Sequence, residues 1–211
     1  MVELPIVMNH VEVRAGDRKL LENVSLAVDK GSRVLLKGEN GSGKSTFLKA
    51  ITGLSLFAGE ILIYGQSIIQ NREAAVGHIG YVSDEVPLHE HLTGTDNLRV
   101  HALLHGIDDD DRIYSELERF GINPADDTKV QYYSTGMRQK LKIAMALFHQ
   151  PSILILDEPL NGLDRKAQES VVDIIRRYDG TIMASSHWNE TFIELFDRFL
   201  AIESGRLNEI V

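Results

Sequence analysis

The 211-residue sequence contains no cysteine, a single tryptophan and only five prolines. Without cysteine there is neither a disulfide framework nor a thiolate metal site, a composition that suits a reducing compartment. No window approaches the ~20 consecutive apolar residues that span a bilayer. The opening stretch, MVELPIVMNHVEVRAGD, has no basic region followed by a sustained apolar run. Any membrane role is therefore expected to come through a partner. Positive charge is also scarce: 22 Lys and Arg stand against 31 Asp and Glu, a formal net charge of −9. Clustered cations usually hold nucleic acid or anionic lipid, so no nucleic-acid partner is expected. What remains, 43% hydrophobic and 25% charged residues, is the balance of a globular chain whose core needs no covalent staple.

Apolar alternation bounded by turn residues predicts strands at 10–13, 26–28 and 33–37, with turns at Ala15-Gly16-Asp17 and Asp29-Lys30-Gly31. After the third strand comes a glycine-rich loop, and then a helical pattern that stops at Gly53. Further strands are predicted at 60–64, 78–82, 153–156, 181–185 and 198–202. Between about residues 88 and 148 strand signals vanish, and the segments TGTDNLRVHALLHG, DDRIYSELERFG and GMRQKLKIAMALFHQ carry helical spacing. The expectation is one α/β domain over residues 1–211, with a helical lobe at about 88–148 inserted in its core. Asp108 to Asp111 are placed to cap the middle helix of that lobe. His101 and His105 have the i, i+4 spacing of a metal pair, but no acid joins them in the helix, so a partly buried pair on a lobe face is expected. His89 and His91 read as loop residues.

Two anionic-chemistry elements stand out. Gly38-Glu39-Asn40-Gly41-Ser42-Gly43-Lys44-Ser45 fits G-x-x-x-x-G-K-[ST], with Thr46 following it in the helix. Its glycines let backbone N–H groups curl around phosphate oxygens, Lys44 reaches the terminal phosphates, Ser45 ligates Mg²⁺, and the helix N-terminus adds its dipole. The second element is the apolar run from Ser152 to Leu156, which ends in Asp157 and Glu158. Side chains alternate across a strand, so one carboxylate can hold Mg²⁺ while the other addresses water.

With these residues in view, the chain resembles an ABC ATPase nucleotide-binding domain over essentially its full length. Leu156-Asp157-Glu158-Pro159-Leu160-Asn161-Gly162-Leu163-Asp164 is similar to that family's second acidic motif and the loop after it. Tyr133-Ser134-Thr135-Gly136-Met137-Arg138-Gln139 resembles its signature motif, and Ser185-Ser186-His187 its switch-histidine loop. The forms of the signature and of Pro159 to Asp164 are similar to ABC-2 exporters. The resemblance implies a P-loop NTPase core with an N-terminal antiparallel β subdomain. It also implies a head-to-tail dimer, homomeric or with a paired ATPase subunit, that holds two ATP molecules. Each ATP would lie between one phosphate loop and the other subunit's Ser134 and Gly136. Ser134-Thr135-Gly136 does begin an apolar-periodic helix whose free N–H groups suit a γ-phosphate. Arg138 and Lys142 either add positive charge there or lie on a solvated face. In this reading Glu158 is the general base or water-positioner and His187 contacts the γ-phosphate. A membrane-spanning subunit would be the partner, with this chain peripheral on the cytoplasmic face. The alternative functions are a soluble ABC ATPase driving assembly or repair, and a nucleotide-gated regulatory module.

The sequence departs from the family at two places. Arg14-Ala15-Gly16 stands where an adenine-stacking aromatic is usual, which predicts support of the base by Arg14 and relaxed base selectivity. Asp84 takes the place of the usual glutamine, where a carboxylate can meet Mg²⁺ directly or through water. The apolar residues Val86, Pro87, Leu88, Leu92 and those at 98–104, next to Asp84, are expected to form the groove for the membrane partner.

Overall fold

The computed structural model describes residues 4–186 and 189–210. His187 lies outside the described residues. A long hairpin comes first, β1 (Ile6–Ala15) and β2 (Arg18–Val28), then β3 (Arg33–Lys37) leads through the glycine loop into α1 (Lys44–Ile51). Next come β4 (Phe57–Ile63), β5 (Gln66–Ser67), α2 (Arg72–Val76) and β6 (Ile79–Val82). Three helices, α3 (Gly94–Leu104), α4 (Asp110–Arg119) and α5 (Thr135–Phe148), separate β6 from β7 (Ile153–Asp157). The chain returns through α6 (Arg165–Arg176), β8 (Thr181–Ser185), α7 (Glu190–Ile193), β9 (Arg198–Glu203) and β10 (Arg206–Ile210).

Two sheets result. One is antiparallel, in the order β2-β1-β4-β5; the other runs β10-β9-β3-β8-β7-β6 and is parallel except where β10 folds back on β9. The strand period explains how they share a core. Val34, Leu36, Ile153 and Ile155 face the layer that holds Phe47, Leu48 and Ile51 of α1 and the inner face of the antiparallel sheet. Their neighbours Leu35, Leu154 and Leu156 face the opposite layer, with α5, α6 and the lobe helices. Covered on both faces, β7 has an unbroken apolar run, as a parallel strand should. Burial of each of its four aliphatic residues, all at 0% exposure, contributes roughly 1.5–3 kcal/mol relative to exposure. That anchors the carboxylates at its end.

The hairpin is longer than its apolar pattern predicts. His10 and Asn23 both have positive φ, 50° and 51°, and the pairing shifts between Met8↔Leu26 and Val11↔Val24. There His10 N donates to Ser25 Oγ at 3.2 Å, and His10 Nδ1 meets Asn23 Oδ1 at 2.7 Å. Side-chain hydrogen bonds thus carry the strands across a break in alternation. β10 is likewise not marked by the apolar pattern; Ser204 and Gly205, with φ 49° and 76°, make the tight turn that feeds it. In the lobe, Thr93, Asp109 and Ser134 cap α3, α4 and α5 by accepting from Asp96 N, Arg112 N and Met137 N, so the acidic run at 108–111 does include a cap.

Candidate active site

The phosphate loop is shaped by backbone that side chains resist. Gly38 has φ 154°, and a Cβ there would lie 2.7 Å from Ser42 Oγ. Gly43, at φ 107°, is the residue before α1, and a Cβ on it would press on Leu20. Lys44 is buried, its Nζ donating to Gly38 O at 2.8 Å and Glu39 O at 3.1 Å. Its ammonium is therefore already curled over the loop it serves. Ser42 Oγ is buried with no hydrogen-bond partner among the described residues, which leaves a donor for a phosphate oxygen. Beside the loop opens a cleft of about 1090 Å³, lined by Gly38, Asn40, Gly41 and Ser42, by Arg18, Lys19 and Leu20 of β2, and by the β9–β10 turn.

Below the loop three oxygens converge. Ser45 Oγ donates to Asp157 Oδ1 at 3.0 Å, and Ser185 Oγ donates to the same oxygen at 2.6 Å. The register of β7 and β8 sets Asp157 opposite Ser185, so the second hydroxyl follows from sheet pairing. The sequence places Ser185 only at the start of the switch-loop motif; its bond to Asp157 depends on strand register and is not legible there. Glu158, half-buried, takes φ 49°, in the left-handed region that a branched or long side chain occupies at a cost. Its N–H donates to Ser185 O at 3.2 Å and to Ser185 Oγ at 3.1 Å. The strand thus ends abruptly, and Glu158 leaves it in a different direction from Asp157. Thr46 sits half-buried in the first turn of α1.

Ser134 and Gly136 lie elsewhere. Ser134 is exposed and accepts from Met137 N at 3.2 Å, while Gly136 packs so close to α6 that a Cβ would stand 2.9 Å from that of Ala167. Neither lines the cleft. Asp84 is exposed, its Oδ2 accepting from Asn161 Nδ2 at 3.3 Å.

Two sequence expectations are corrected here. Arg14 does not line the cleft: its Nε donates to Glu12 at 2.6 Å, and Arg18, Lys19 and Leu20 take the flanking position. Arg138 and Lys142 do not extend a cationic helix face. Arg138 forks onto Glu90, which holds that carboxyl below its ordinary range. Lys142 turns inward, donating to Ser83 O at 2.9 Å and Asp84 O at 3.2 Å, and burial pushes its pKa down. The apolar groove also divides. Leu88 and Leu98 belong to the core, whereas Leu103 and Leu104 are exposed.

Comparison with known proteins decides the family. The sequence profile of the ABC transporter family matches residues 21–161. The chain belongs to the ABC transporter family. It is 34% identical over 212 residues to the uncharacterized ABC transporter ATP-binding protein YdbJ of Bacillus subtilis (strain 168), covering 98% of this chain and 69% of YdbJ. It is 37% identical over 196 residues to the lantibiotic transport ATP-binding protein SrtF of Streptococcus pyogenes, covering 91% of this chain and 84% of SrtF. It is also 32% identical over 199 residues to the bacitracin transport ATP-binding protein BcrA of Bacillus licheniformis, where the match covers 92% of this chain but 65% of BcrA. A solved ATP-binding subunit of an ABC transporter superposes with a TM-score of 0.84 at 28% identity, over 97% of this chain and 90% of that one. This ABC ATPase therefore has the family's P-loop fold and is the ATP-binding motor part of a transporter. Among the described residues no helix is long and apolar enough to cross a membrane.

Proposed function

We propose that this ABC ATPase couples ATP hydrolysis to transport through a separate membrane-spanning subunit, by closing two nucleotide-binding domains around two ATP molecules. The observation that carries the chemistry is the convergence of Ser45 and Ser185 on Asp157 directly beneath the phosphate loop. A hydroxyl and a carboxylate side by side are hard oxygen donors of the kind Mg²⁺ takes, so Ser45 and Asp157 would hold the ion, with Asp84 a candidate for a further contact through water. Bound there, Mg²⁺ supplies charge neutralisation on the terminal phosphates.

The rest is the work of the chain's own groups. The amides from Gly38 to Ser45, together with Asn40, Ser42 and Thr46, hold the phosphates in place, and Lys44 exchanges its carbonyl partners for phosphate oxygens. Glu158 accepts a proton from the attacking water as the new O–P bond forms and the bond from the γ-phosphorus to the bridging oxygen breaks, giving ADP and phosphate. His187 is proposed as the residue that orients that water. Because Ser134 and Gly136 stand apart from the cleft of their own chain, they are assigned to the ATP held by the paired subunit. The α5 N-terminus then supplies donors from the far side.

Transport is tested by purification of a tagged chain from its native membranes in mild detergent, with and without ATP. Co-isolation of a membrane-spanning polypeptide is the expected result, with crosslinks from the exposed Leu103 and Leu104 end of α3. An ATPase-active chain that brings down no membrane subunit in either condition would favour a soluble assembly role instead. The relatives SrtF and BcrA, named for lantibiotic and bacitracin transport, make a peptide antibiotic the first cargo to try.

Base selectivity is expected to be weak. No aromatic side chain lines the cleft among the described residues, and the flanking Arg18, Lys19 and Leu20 offer a base no ring to stack on and no ring-edge code. GTP should compete with ATP within about tenfold, or ~1.4 kcal/mol. Competition binding with a preference far beyond a hundredfold would refute this.

A further inference from the structure

Three imidazoles meet where the lobe helices join the sheet. His101 is in the last turn of α3, His105 follows α3 as its C-terminal cap, and His149 does the same for α5. One ring nitrogen of each lies within 4.8 Å of those of the other two. The His105 and His149 rings stack with centroids 4.2 Å apart, and the His101 ring stands 4.7 Å from His105. Sequence spacing paired the first two; only the fold adds the third.

A hydrogen bond fixes where the proton is on the half-buried His149 ring. His149 Nε2 lies 3.1 Å from Ile79 O. A carbonyl only accepts, so Nε2 carries the hydrogen and Nδ1 is a bare lone pair. That Nδ1 is buried without a hydrogen-bond partner among the described residues. His101 Nε2 is likewise buried and has no hydrogen-bond partner among the described residues. Two ring nitrogens are thus withdrawn from water without a partner, an uncommon condition for buried polar groups. Metal-binding histidines have this form: a neutral ring, one N–H given to a carbonyl, and the other nitrogen aimed at the ion.

We propose that His101, His105 and His149 form a binding site for a borderline divalent transition-metal ion, with Zn²⁺ the best match and water in the fourth position. Three imidazoles and a water make a tetrahedral zinc site, with Zn–N distances of about 2.0–2.1 Å. The nitrogens must draw together by on the order of an ångström from their present spacing, given that bond length. His105, exposed at the end of its helix, is the ring able to leave the stack and do so. An all-nitrogen donor set selects against Mg²⁺ and Ca²⁺, which take oxygen, so this site does not duplicate the one at Ser45 and Asp157. Burial also pushes His101 and His149 down to about 4, in keeping with neutral rings. Because His149 is tied to Ile79 of β6, an ion here would clamp the end of α3 to the end of α5 and to the sheet edge.

The test uses the full chain, stripped by a chelator and kept free of nucleotide, titrated with ZnCl₂ against a chromophoric competitor and in parallel with CoCl₂. One equivalent of Zn²⁺ bound at about micromolar or tighter, ~8 kcal/mol or more, with the intense visible bands of tetrahedral cobalt, is the expected result. His105→Ala, at an exposed position, should weaken binding by more than about tenfold, the lower bound for losing even a supporting partner of a metal ligand. His91→Ala, an exposed loop histidine outside the cluster, should change nothing. His149→Gln, checked by circular dichroism for an intact fold, should match His105→Ala. Equal affinity in wild type and His105→Ala, an equal loss in His91→Ala, or wild-type binding no tighter than about millimolar would overturn the site.

Discussion

Glu158→Gln is expected to lower the ATPase rate by about 10²- to 10⁴-fold, the usual contribution of a positioned general base, while Mg-ATP affinity stays within a few-fold of wild type. The amide is close to the carboxylate in size, and the groups expected to hold the nucleotide, Lys44, Ser45 and Asp157, make their contacts independently of it. What is lost is proton acceptance and a negative charge facing the γ-phosphate. The backbone of Glu158 is held at φ 49° by two bonds from its own N–H to Ser185, so the substitution leaves the strained turn in place. Steady-state phosphate release and nucleotide binding, measured on the same preparation, separate the two effects. Unimpaired hydrolysis would remove Glu158 from the reaction.

The same variant should accumulate as an ATP-dependent dimer, and Ser134→Arg in that background should return it to a monomer. Arginine at the exposed start of α5 would occupy the space proposed for the other subunit's γ-phosphate. It would also take the cap from Met137 N–H, which costs about 1 kcal/mol of stability on its own. Ser134→Ala separates the two causes, since it loses the cap without the bulk, and should keep a measurable share of the dimer. Sedimentation with Mg-ATP at several protein concentrations reads all three. The isolated domain is expected to dimerise weakly, because a membrane partner raises the local concentration of two copies. A monomer throughout, or a dimer untouched by Ser134→Arg, would sink the composite site.

Both predictions rest on residues whose neighbourhood was largely readable from the sequence. The phosphate loop needed only its own spacing, because glycines that permit the turn, the lysine and the serine all lie within a few residues of one another. The end of β7 was equally plain, since a doubly covered strand must be apolar throughout and its first carboxylates mark where it emerges. Strand ends were less legible. At His10 and Asn23 the hairpin continues through polar residues with positive φ, because side-chain bonds to Ser25 and across the hairpin stand in for the ladder. The flank of the cleft is hard to read for a similar reason. Arg14 had the right position in the chain, but Glu12, two residues away, holds its guanidinium.

What the sequence determined by itself was therefore the local geometry of contiguous residues: the loop from Gly38 to Thr46, the strand end at Asp157 and Glu158, and the capped helix start at Ser134. Local backbone geometry fixes these, since a turn, a strand end or a first helical turn sets its own distances. Tertiary structure alone decided the rest. Strand register put Ser185 on Asp157, helix packing turned Lys142 toward the Asp84 loop and buried Leu88 and Leu98 while leaving Leu104 exposed, and the meeting of two helix ends added His149 to His101 and His105. Each of those depends on which elements become neighbours and how they slide against one another, and spacing along a chain does not encode distances between elements brought together only by folding.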